Sequence, residues 1–277
     1  MWSTESNIDD NGFLWGKWKV SKDTYILTNR WGNFCYLLLG SEKAMLIDTG
    51  YGEGNIRKIV ESITSLPVTV VNTHGHCDHV GGNFYWHECY CGKKGKDDVV
   101  SGAPKEFMEY FNANMPEDFI WHEVTDGDTF ELGNRSLEVF AVRAHAESGI
   151  ALLDKTNRLL FTGDEIDPGQ VLLDCNLGSY GAEELFKMHL ESVNKLLARK
   201  EEYDLLCPAH NGVFISKDYL EEFKILDEQL LEGTAKIADS PMGFNWTGKA
   251  LVDIKGVPYG EKRAQYGNAS IVWRAES

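Results

Sequence analysis

Four side chains of the metal-binding types lie within six residues of one another in the segment VVNTHGHCDHVGGN, namely His74, His76, Asp78 and His79. Side chains alternate along an extended segment, so His74 and His76 point to the same side and can share one ion. Gly75 between them allows a close approach of the backbone. Asp78 and His79 lie beyond the strand end, where the chain turns, and can point to a second position. Because the chain has only eight histidines, chance is a poor explanation, and the segment predicts a metal site with room for two ions.

Three further donors follow predicted strands elsewhere in the chain. His145 follows SLEVFAVRA, Asp164 follows RLLFTG, and His210 follows YDLLCPA. A single histidine after a strand is more often structural than functional. Taken with the His74 segment, however, these donors predict one metal centre at the edge where several strands end.

Hydrophobic periodicity predicts the elements that position these side chains. TYILTN, NFCYLLLG and KAMLIDTG are expected to form a β-meander, GNIRKIVESIT a helix and PVTVVNT a buried strand. The later half repeats this order, with strands at TFELG, SLEVFAV, GIALLD and RLLFTG, a helix at AEELFKMHLESVNKLLA, a strand at YDLLCPA and a helix at KDYLEEFKILDEQLLEG. Sheets followed by helices, twice, indicate a layered sandwich.

The chain is expected to form a single domain over residues 1–277, because no linker rich in proline, glycine or serine divides it. Its recognisable core spans residues 23–232. Residues 87–130 are interpreted as an insertion containing a helix, and residues 233–277 follow no assignable pattern.

Composition restricts the partners and the compartment. A net charge of −16 disfavours binding to nucleic acid or to an anionic membrane surface, so a small-molecule substrate is expected. The N-terminus lacks the pattern of a signal peptide, and no apolar stretch is long enough to span a bilayer. Six irregularly spaced cysteines do not suggest a disulfide framework. These features predict a cytoplasmic protein with reduced thiols.

In sequence order, the segments LIDTG, THGHCDH, AHAESG, FTGD and PAHN resemble the metallo-β-lactamase superfamily. The resemblance implies an α/β fold, the four-layered αβ/βα sandwich, with the site at one edge. It further implies the following ligand set: His74, His76 and His145 for one metal, Asp78, His79 and His210 for the other, and Asp164 bridging the two. Asp48 in LIDTG matches a family position that supports the ligands from behind.

Departures from the motifs of individual branches narrow the choice of branch within the superfamily. Dizinc β-lactamases have a cysteine at the position of Asp164, and diiron flavoproteins have a glutamate at that of His76, so both activities are disfavoured. Hydroxyacylglutathione hydrolases share THxHxDHxGGN, but their glutathione loop does not resemble EIDPGQVLLDCNLGSY. Acyl homoserine lactonases have a tyrosine where this chain has Asp167, and Tyr180 is a candidate substitute. AHAESG also replaces the usual GHTPGS after the His145 strand.

The resulting functional hypothesis is a dinuclear hydrolase of the glyoxalase II and lactonase-like branch. Imidazole and carboxylate ligands without thiolate suit two divalent ions, with zinc favoured over iron or manganese. A metal-bridging hydroxide is expected to attack a small ester, lactone or thioester, with Asp78 orienting it and moving its proton. The alternatives are a phosphodiesterase of the ribonuclease-like type and a mononuclear iron dioxygenase acting on persulfides.

Aromatic residues near the motifs are candidates for the substrate pocket. They are Trp31 at a hairpin tip, Tyr85 and Trp86 after the metal segment, and Tyr180. Ordinary packing in the core or at its rim is an equal alternative for the first three. His189, in the helical segment LFKMHLESV, is expected to be structural.

Overall fold

The computed structural model describes residues 4–8, 14–99, 105–173, 180–240 and 261–274. Two sheets pack face to face, and helices cover the outer side of each. This arrangement confirms the expected α/β fold, the four-layered αβ/βα sandwich.

Within the described residues the first sheet has eight strands in chain order: β1 (Thr4–Ile8), β2 (Leu14–Ser21), β3 (Thr24–Thr28), β4 (Phe34–Leu39), β5 (Ala44–Ile47), β6 (Val68–Val71), β7 (Glu88–Gly92) and β8 (Ile120–Val124). Pairing is antiparallel from β1 to β5 and parallel from β5 to β8. The predicted meander is therefore confirmed. Residues 87–130, interpreted from the sequence as an insertion, contain β7 and β8, which continue this sheet.

The second sheet carries the other half of the site. Its strands, in spatial order and as far as the structure describes the chain, are β15 (Ile215–Ser216), β14 (Leu205–Pro208), β12 (Leu159–Gly163), β11 (Ile150–Asp154), β10 (Ser136–Ala141) and β9 (Thr129–Glu131). A smaller sheet comprises β13 (Val171–Leu172), β18 (Ala269–Arg274), β17 (Glu261–Tyr266) and β16 (Ile237–Asp239). Residues 233–277, unassigned from sequence, thus contribute three strands, while residues 241–260 lie outside the described residues.

The helices, in chain order, are α1 (Ile56–Ile63), α2 (Cys77–Val80), α3 (Gly95–Asp98), α4 (Lys105–Asn114), α5 (Ala182–Leu197) and α6 (Tyr219–Glu232). Helix α1 packs on the outer face of the first sheet. Helices α5 and α6 pack with the second and third sheets. Each buries the apolar stripe that its sequence predicted. No described helix is both long enough and apolar enough to cross a bilayer.

The centre of the sandwich is a continuous apolar layer between the two large sheets. Tyr36, Met45 and Ile47 of the first sheet face Leu152 and Phe161 of the second, and all five are buried. Such a packed layer holds the strand ends of both sheets in fixed relative positions.

Parallel pairing brings the site residues to one edge. Ile47 of β5 is paired with Val71 of β6, so the residues that follow both strands emerge side by side. In the second sheet Gly163 of β12 is paired with Pro208 of β14. Asp164 and His210 therefore leave the sheet next to each other.

Candidate metal centre

All seven donors predicted from the sequence converge at this edge. They form three overlapping groups, each with ligand atoms within 4.8 Å of one another: His74, His76 and His145; His74, His79 and Asp164; Asp78, His79 and His210. The donors thus meet although they are spread over more than 130 positions of the chain.

The first group, here called the imidazole triad, consists of His74, His76 and His145. His74 Nε2 lies 2.9 Å from His76 Nδ1, which lies 3.1 Å from His145 Nε2. Burial, followed by repulsion from neighbouring imidazoles, lowers the pKa of His74 well below its usual value and that of His76 to about 3. Both rings are therefore neutral at physiological pH, as metal ligands must be.

The second group, here called the mixed triad, consists of Asp78, His79 and His210. Asp78 Oδ2 lies 3.2 Å from His210 Nε2 and 3.5 Å from His79 Nε2. Burial lowers the pKa of His210, but attraction to Asp164 and Asp78 outweighs it and raises the pKa to about 11. The pKa of His79 is raised for the same reason, despite burial. Without metal, His79 and His210 hold protons where His74 and His76 do not.

Asp164 lies between the two triads. One carboxylate oxygen, Oδ1, is 3.5 Å from His79 Nε2, and the other, Oδ2, is 3.4 Å from His210 Nε2 and 3.6 Å from His145 Nε2. Burial opposes its ionisation, but His210 and His79 hold the pKa of this carboxyl well below its usual value. An ionised carboxylate facing both triads has the placement that a bridging ligand needs.

Two buried atoms support a resident cation. In the described part of the chain neither His79 Nε2 nor Asp164 Oδ1 has a hydrogen-bond partner. Unpaired buried polar atoms are costly and rare in folded proteins. A divalent ion would satisfy both, and the nitrogen and oxygen donors suit zinc, iron or manganese. The residues present therefore fit a metal centre.

Asp48 lies behind the mixed triad, as expected. Its Oδ2 lies 2.9 Å from His79 Nδ1, and its two oxygens accept hydrogen bonds from Thr73 N and Thr73 Oγ1, both at 2.8 Å. The backbone of Asp48 is left-handed, with φ of 62°, which is uncommon for a residue with a side chain. Accepting the Nδ1 proton fixes the tautomer that leaves His79 Nε2 facing the centre.

His145 is held from behind by a buried polar chain that the sequence did not reveal. Its Nδ1 donates to Leu172 O at 2.8 Å, and its backbone N–H donates to the Glu165 carboxylate at 2.9 Å. His189 Nε2 donates to Glu165 O at 3.0 Å, and His189 Nδ1 donates to Asp227 Oδ2 at 2.8 Å. His189 is structural, as expected, but it supports the loop that carries a ligand.

Gly75 has the close approach that its position predicted. A Cβ at this residue would lie 2.1 Å from Gly95 O and 2.8 Å from Asp98 Cβ. The metal segment therefore packs directly against α3, and a side chain here would push the two apart.

The aromatic residues near the centre divide into two sets. Trp31 is 44% exposed and makes an edge contact with Tyr51, whose ring centroid is 6.2 Å away. Burial, and next the charge of Asp78, raise the pKa of Tyr51, which places this ring beside the mixed triad. Tyr85 and Trp86 instead pack against the core beneath α1. Their packing favours the structural alternative, and their role in the pocket stays a prediction.

Tyr51 was not among the sequence candidates, although it directly follows LIDTG. Asn33 was missed as well, and its Nδ2 donates to Asp78 Oδ2 at 3.1 Å. Both residues reach the centre from hairpin or turn positions with no distinctive spacing, so only the assembled fold reveals them.

Asp167 and Tyr180 occupy the region where the family patterns diverge. Asp167 Oδ1 accepts hydrogen bonds from Asn211 Nδ2 at 2.8 Å and Gly169 N at 2.7 Å, so it braces the loop after Asp164. Tyr180 Oη donates to Glu147 Oε1 at 2.5 Å. Residues 174–179, which belong to the EIDPGQVLLDCNLGSY segment, lie outside the described residues.

The sequence profile described as "Metallo-beta-lactamase superfamily" matches residues 28–210, which is more than half of the chain. The chain belongs to the metallo-β-lactamase superfamily. It resembles the human acyl-coenzyme A thioesterase MBLAC2, with 25% identity over 199 residues, 62% of this chain and 69% of the relative. It also resembles hydroxyacylglutathione hydrolase from a Synechococcus species, with 30% identity over 139 residues, 50% of each chain.

Solved structures of the metallo-β-lactamase superfamily share the fold. A metallo-beta-lactamase from Pontibacter korlensis has a TM-score of 0.56 at 18% identity, covering 82% of this chain and 99% of that one. A metallo-beta-lactamase family protein from Thermus thermophilus has a TM-score of 0.56 at 20% identity, covering 78% of this chain and 82% of that one. Together these comparisons confirm a hydrolase of the superfamily, in its glyoxalase II-like branch.

Proposed function

We propose that the protein is a dinuclear metal-dependent hydrolase that cleaves an acyl thioester. The observation that carries this proposal is the Asp164 carboxylate, which faces both triads and has a buried oxygen without a hydrogen-bond partner in the described structure. Two triads that share one carboxylate suit two ions better than one. This arrangement supports the hydrolase over the one-metal persulfide dioxygenase.

In the proposed site the imidazole triad would hold one ion, the mixed triad would hold the other, and Asp164 would serve both. Zinc is favoured for this donor set, with iron and manganese as alternatives. A bound pair of divalent ions supplies Lewis acidity toward a carbonyl oxygen and lowers the pKa of water to about 7.

Protein groups supply orientation and proton transfer. Asn33 Nδ2 holds the Asp78 carboxylate through Oδ2, so this side chain keeps one direction at the centre. We assign Asp78 the role of orienting the attacking water and moving its proton to the departing thiolate, which leaves as the thiol. Asp48 and Glu165 keep His79 and His145 in place behind the site.

The thioester assignment rests on the relatives. MBLAC2 is named an acyl-coenzyme A thioesterase, and hydroxyacylglutathione also carries its acyl group on a thiol. Esters and lactones have the same carbonyl chemistry and are the expected secondary substrates. The charge of −16 still disfavours RNA, because a polyanion is repelled at long range.

A substrate panel tests the proposal. Acyl thioesters, esters, lactones, a bis-aryl phosphodiester and short RNA should be compared with the zinc-loaded protein at physiological salt. A thioester should show the highest kcat/KM, and chelation should abolish the activity. A phosphodiester or RNA cleaved better than every acyl compound would overturn the acyl hydrolase assignment in favour of the phosphodiesterase.

A further inference from the structure

A cleft with basic side chains lies next to the imidazole triad. It has a volume of about 160 Å³ and is lined by Lys93, Lys94, Arg143, Glu147, Tyr180 and Met188. We call this feature the basic cleft. Three cations face one carboxylate there, in a protein whose net charge is −16. The cleft therefore has the opposite charge to the molecule as a whole.

Three separate segments build the basic cleft around a metal ligand. Lys93 and Lys94 lie in the turn that leads into α3, and α3 packs against Gly75 between two ligands of the imidazole triad. Arg143 and Glu147 lie two residues before and two residues after His145. Tyr180 precedes α5, and Met188 lies in its first half. The cleft thus adjoins segments that carry the imidazole triad.

Part of the cleft is held in place before any ligand binds. Glu147 Oε2 accepts from Lys94 Nζ at 2.5 Å, and Glu147 Oε1 accepts from Tyr180 Oη at 2.5 Å. Lys94 has a left-handed backbone, with φ of 68°, which is uncommon for a residue with a side chain. Lys94 and Tyr180 are therefore positioned by one carboxylate, and their orientation does not depend on a ligand.

The other two cations remain available. In the described residues neither Lys93 nor Arg143 forms a hydrogen bond or an ion pair, and both are exposed. An ammonium and a guanidinium that are not hydrogen-bonded to a carboxylate are groups that bind phosphate, and the guanidinium can do so through two parallel hydrogen bonds. The excess of about two positive charges matches a phosphate monoester, which carries about −1.5 to −2 at pH 7, better than a carboxylate.

The geometry points to a phosphate-binding subsite: the basic cleft binds the phosphorylated part of a thiol that carries the acyl group. This inference rests on the proposed thioester function. The aromatic pair Trp31 and Tyr51 lies at the mixed-triad end, whereas the cleft lies at the imidazole end. An acyl chain on the aromatic side and a phosphorylated thiol on the basic side would place the thioester carbonyl at the metals. The preferred substrate class is therefore an acyl thioester of a phosphorylated thiol.

A specificity ratio tests this inference. One acyl group should be presented on coenzyme A, on pantetheine, which lacks phosphate, and on glutathione, which carries carboxylates. The preference for phosphate is the kcat/KM for the coenzyme A ester divided by the kcat/KM for the pantetheine ester. In the double variant Lys93→Gln with Arg143→Gln this ratio should fall about tenfold or more, mainly because KM for the coenzyme A ester rises. Lys96→Gln, an exposed lysine in α3 outside the cleft, is the matched control and should leave the ratio unchanged.

Binding without turnover supplies an independent readout. Calorimetry of coenzyme A with the metal-free protein should show a Kd that is about tenfold weaker in the double variant and unchanged in Lys96→Gln. Added salt should weaken binding to the wild type more than binding to the double variant. Thermal unfolding of each variant confirms that the folds are intact.

Failure of this inference can be separated from failure of the thioesterase proposal. If no thioester is cleaved, the proposed function fails, while calorimetry still decides whether the cleft binds phosphate. If thioesters are cleaved but the double variant keeps the wild-type ratio and Kd, the phosphate subsite is wrong. If the variant loses activity equally on the glutathione, pantetheine and coenzyme A esters, the cleft does not distinguish phosphate and the phosphate assignment is overturned.

Discussion

The two triads of the candidate centre lie side by side but differ in their electrostatics. In the imidazole triad, burial and neighbouring rings lower the pKa of His74 and His76, so these donors are free of protons. In the mixed triad, attraction to Asp78 and Asp164 raises the pKa of His79 and His210 in spite of burial. One triad is ready for an ion, whereas the other must first release protons.

This difference shows how a single loop can supply ligands to two metal positions with different electrostatics. Both triads draw on the His74–His79 segment, yet attraction to carboxylates such as Asp78 outweighs burial only in the second. Asp164 links them because it lies within 3.6 Å of a ring nitrogen in each triad. The two positions are therefore expected to differ in pH dependence while sharing a dependence on Asp164.

The largest effect should follow removal of the shared carboxylate. Asp164→Ala is expected to weaken metal binding at both triads and to reduce hydrolysis by about 10³-fold or more, beyond the 10–100-fold typical of residues that only orient a ligand. Elemental analysis and turnover numbers measure the two effects. The control is Asp126→Asn, an exposed carboxylate paired with Lys195, which should retain both metals. Loss of one metal with the other bound as tightly as in the wild type would show that Asp164 does not bridge.

Weakening the hydrogen bond between Asp48 and His79 should lower the metal affinity of one triad and not of the other. Asp48→Asn leaves the shape of the side chain but weakens its hold on the His79 Nδ1 proton. Affinity for one of the two metals should fall by about 10–100-fold, while the other is retained. Competition with a chelator measures both constants. Equal weakening of both metals would contradict independent support of the triads.

The pH dependence of metal binding should also distinguish the triads. With a pKa of about 11, His210 carries a proton at pH 7 in the metal-free protein and must lose it to bind metal. Affinity at the mixed triad should therefore rise about tenfold per pH unit for each proton displaced, up to about pH 11. His76, with a pKa of about 3, has no proton to lose above about pH 4. Calorimetry in buffers of different ionisation enthalpy counts the protons released, and an equal count for both metals would refute this difference.

Linear motifs were sufficient to predict which donors would converge, because each lies shortly after a strand with a clear apolar pattern. His145, Asp164 and His210 meet because the strands before them end at one edge of the fold. Lys93 and Arg143 could not be predicted to share a cleft, since they come from different sheets and belong to no motif. Glu165 was missed for a similar reason, because only the assembled fold shows its carboxylate beneath His145.

Sheet membership was the least predictable part of the fold. Residues 87–130 have a mixed pattern, since in a short edge strand such as Ile120–Val124 exposed, half-buried and buried side chains do not alternate regularly. The strand Leu14–Ser21 was missed because its polar residues obscure the strand signal. In both cases pairing with neighbouring strands determines the conformation more than local propensity does.

The smallest effect on metal binding should come from the buried pair behind the imidazole triad. Burial alone would lower the pKa of His189, but Asp227 raises it to about 9, above the ordinary value of about 6.5. The pair therefore stabilises the fold fully below about pH 6.5, and this contribution disappears as the pH rises through about 9. Asp227→Asn should cost about 3–5 kcal/mol of unfolding free energy at pH 6 and less at pH 10, as measured by urea denaturation.

The same variant should change metal affinity at the imidazole triad by only about two- to fivefold, because His189 acts on His145 through Glu165. A loss of stability that is the same at pH 6 and pH 10 would contradict the charged state assigned to His189.

The most direct test of the dinuclear account is a zinc titration of the metal-free protein, followed by thioester hydrolysis at each step. Hydrolysis should remain low through the first equivalent, rise with the second and then reach a plateau, because both triads and the shared Asp164 are needed. Full activity at one equivalent, or one tightly bound iron that supports activity without a second ion, would contradict the account.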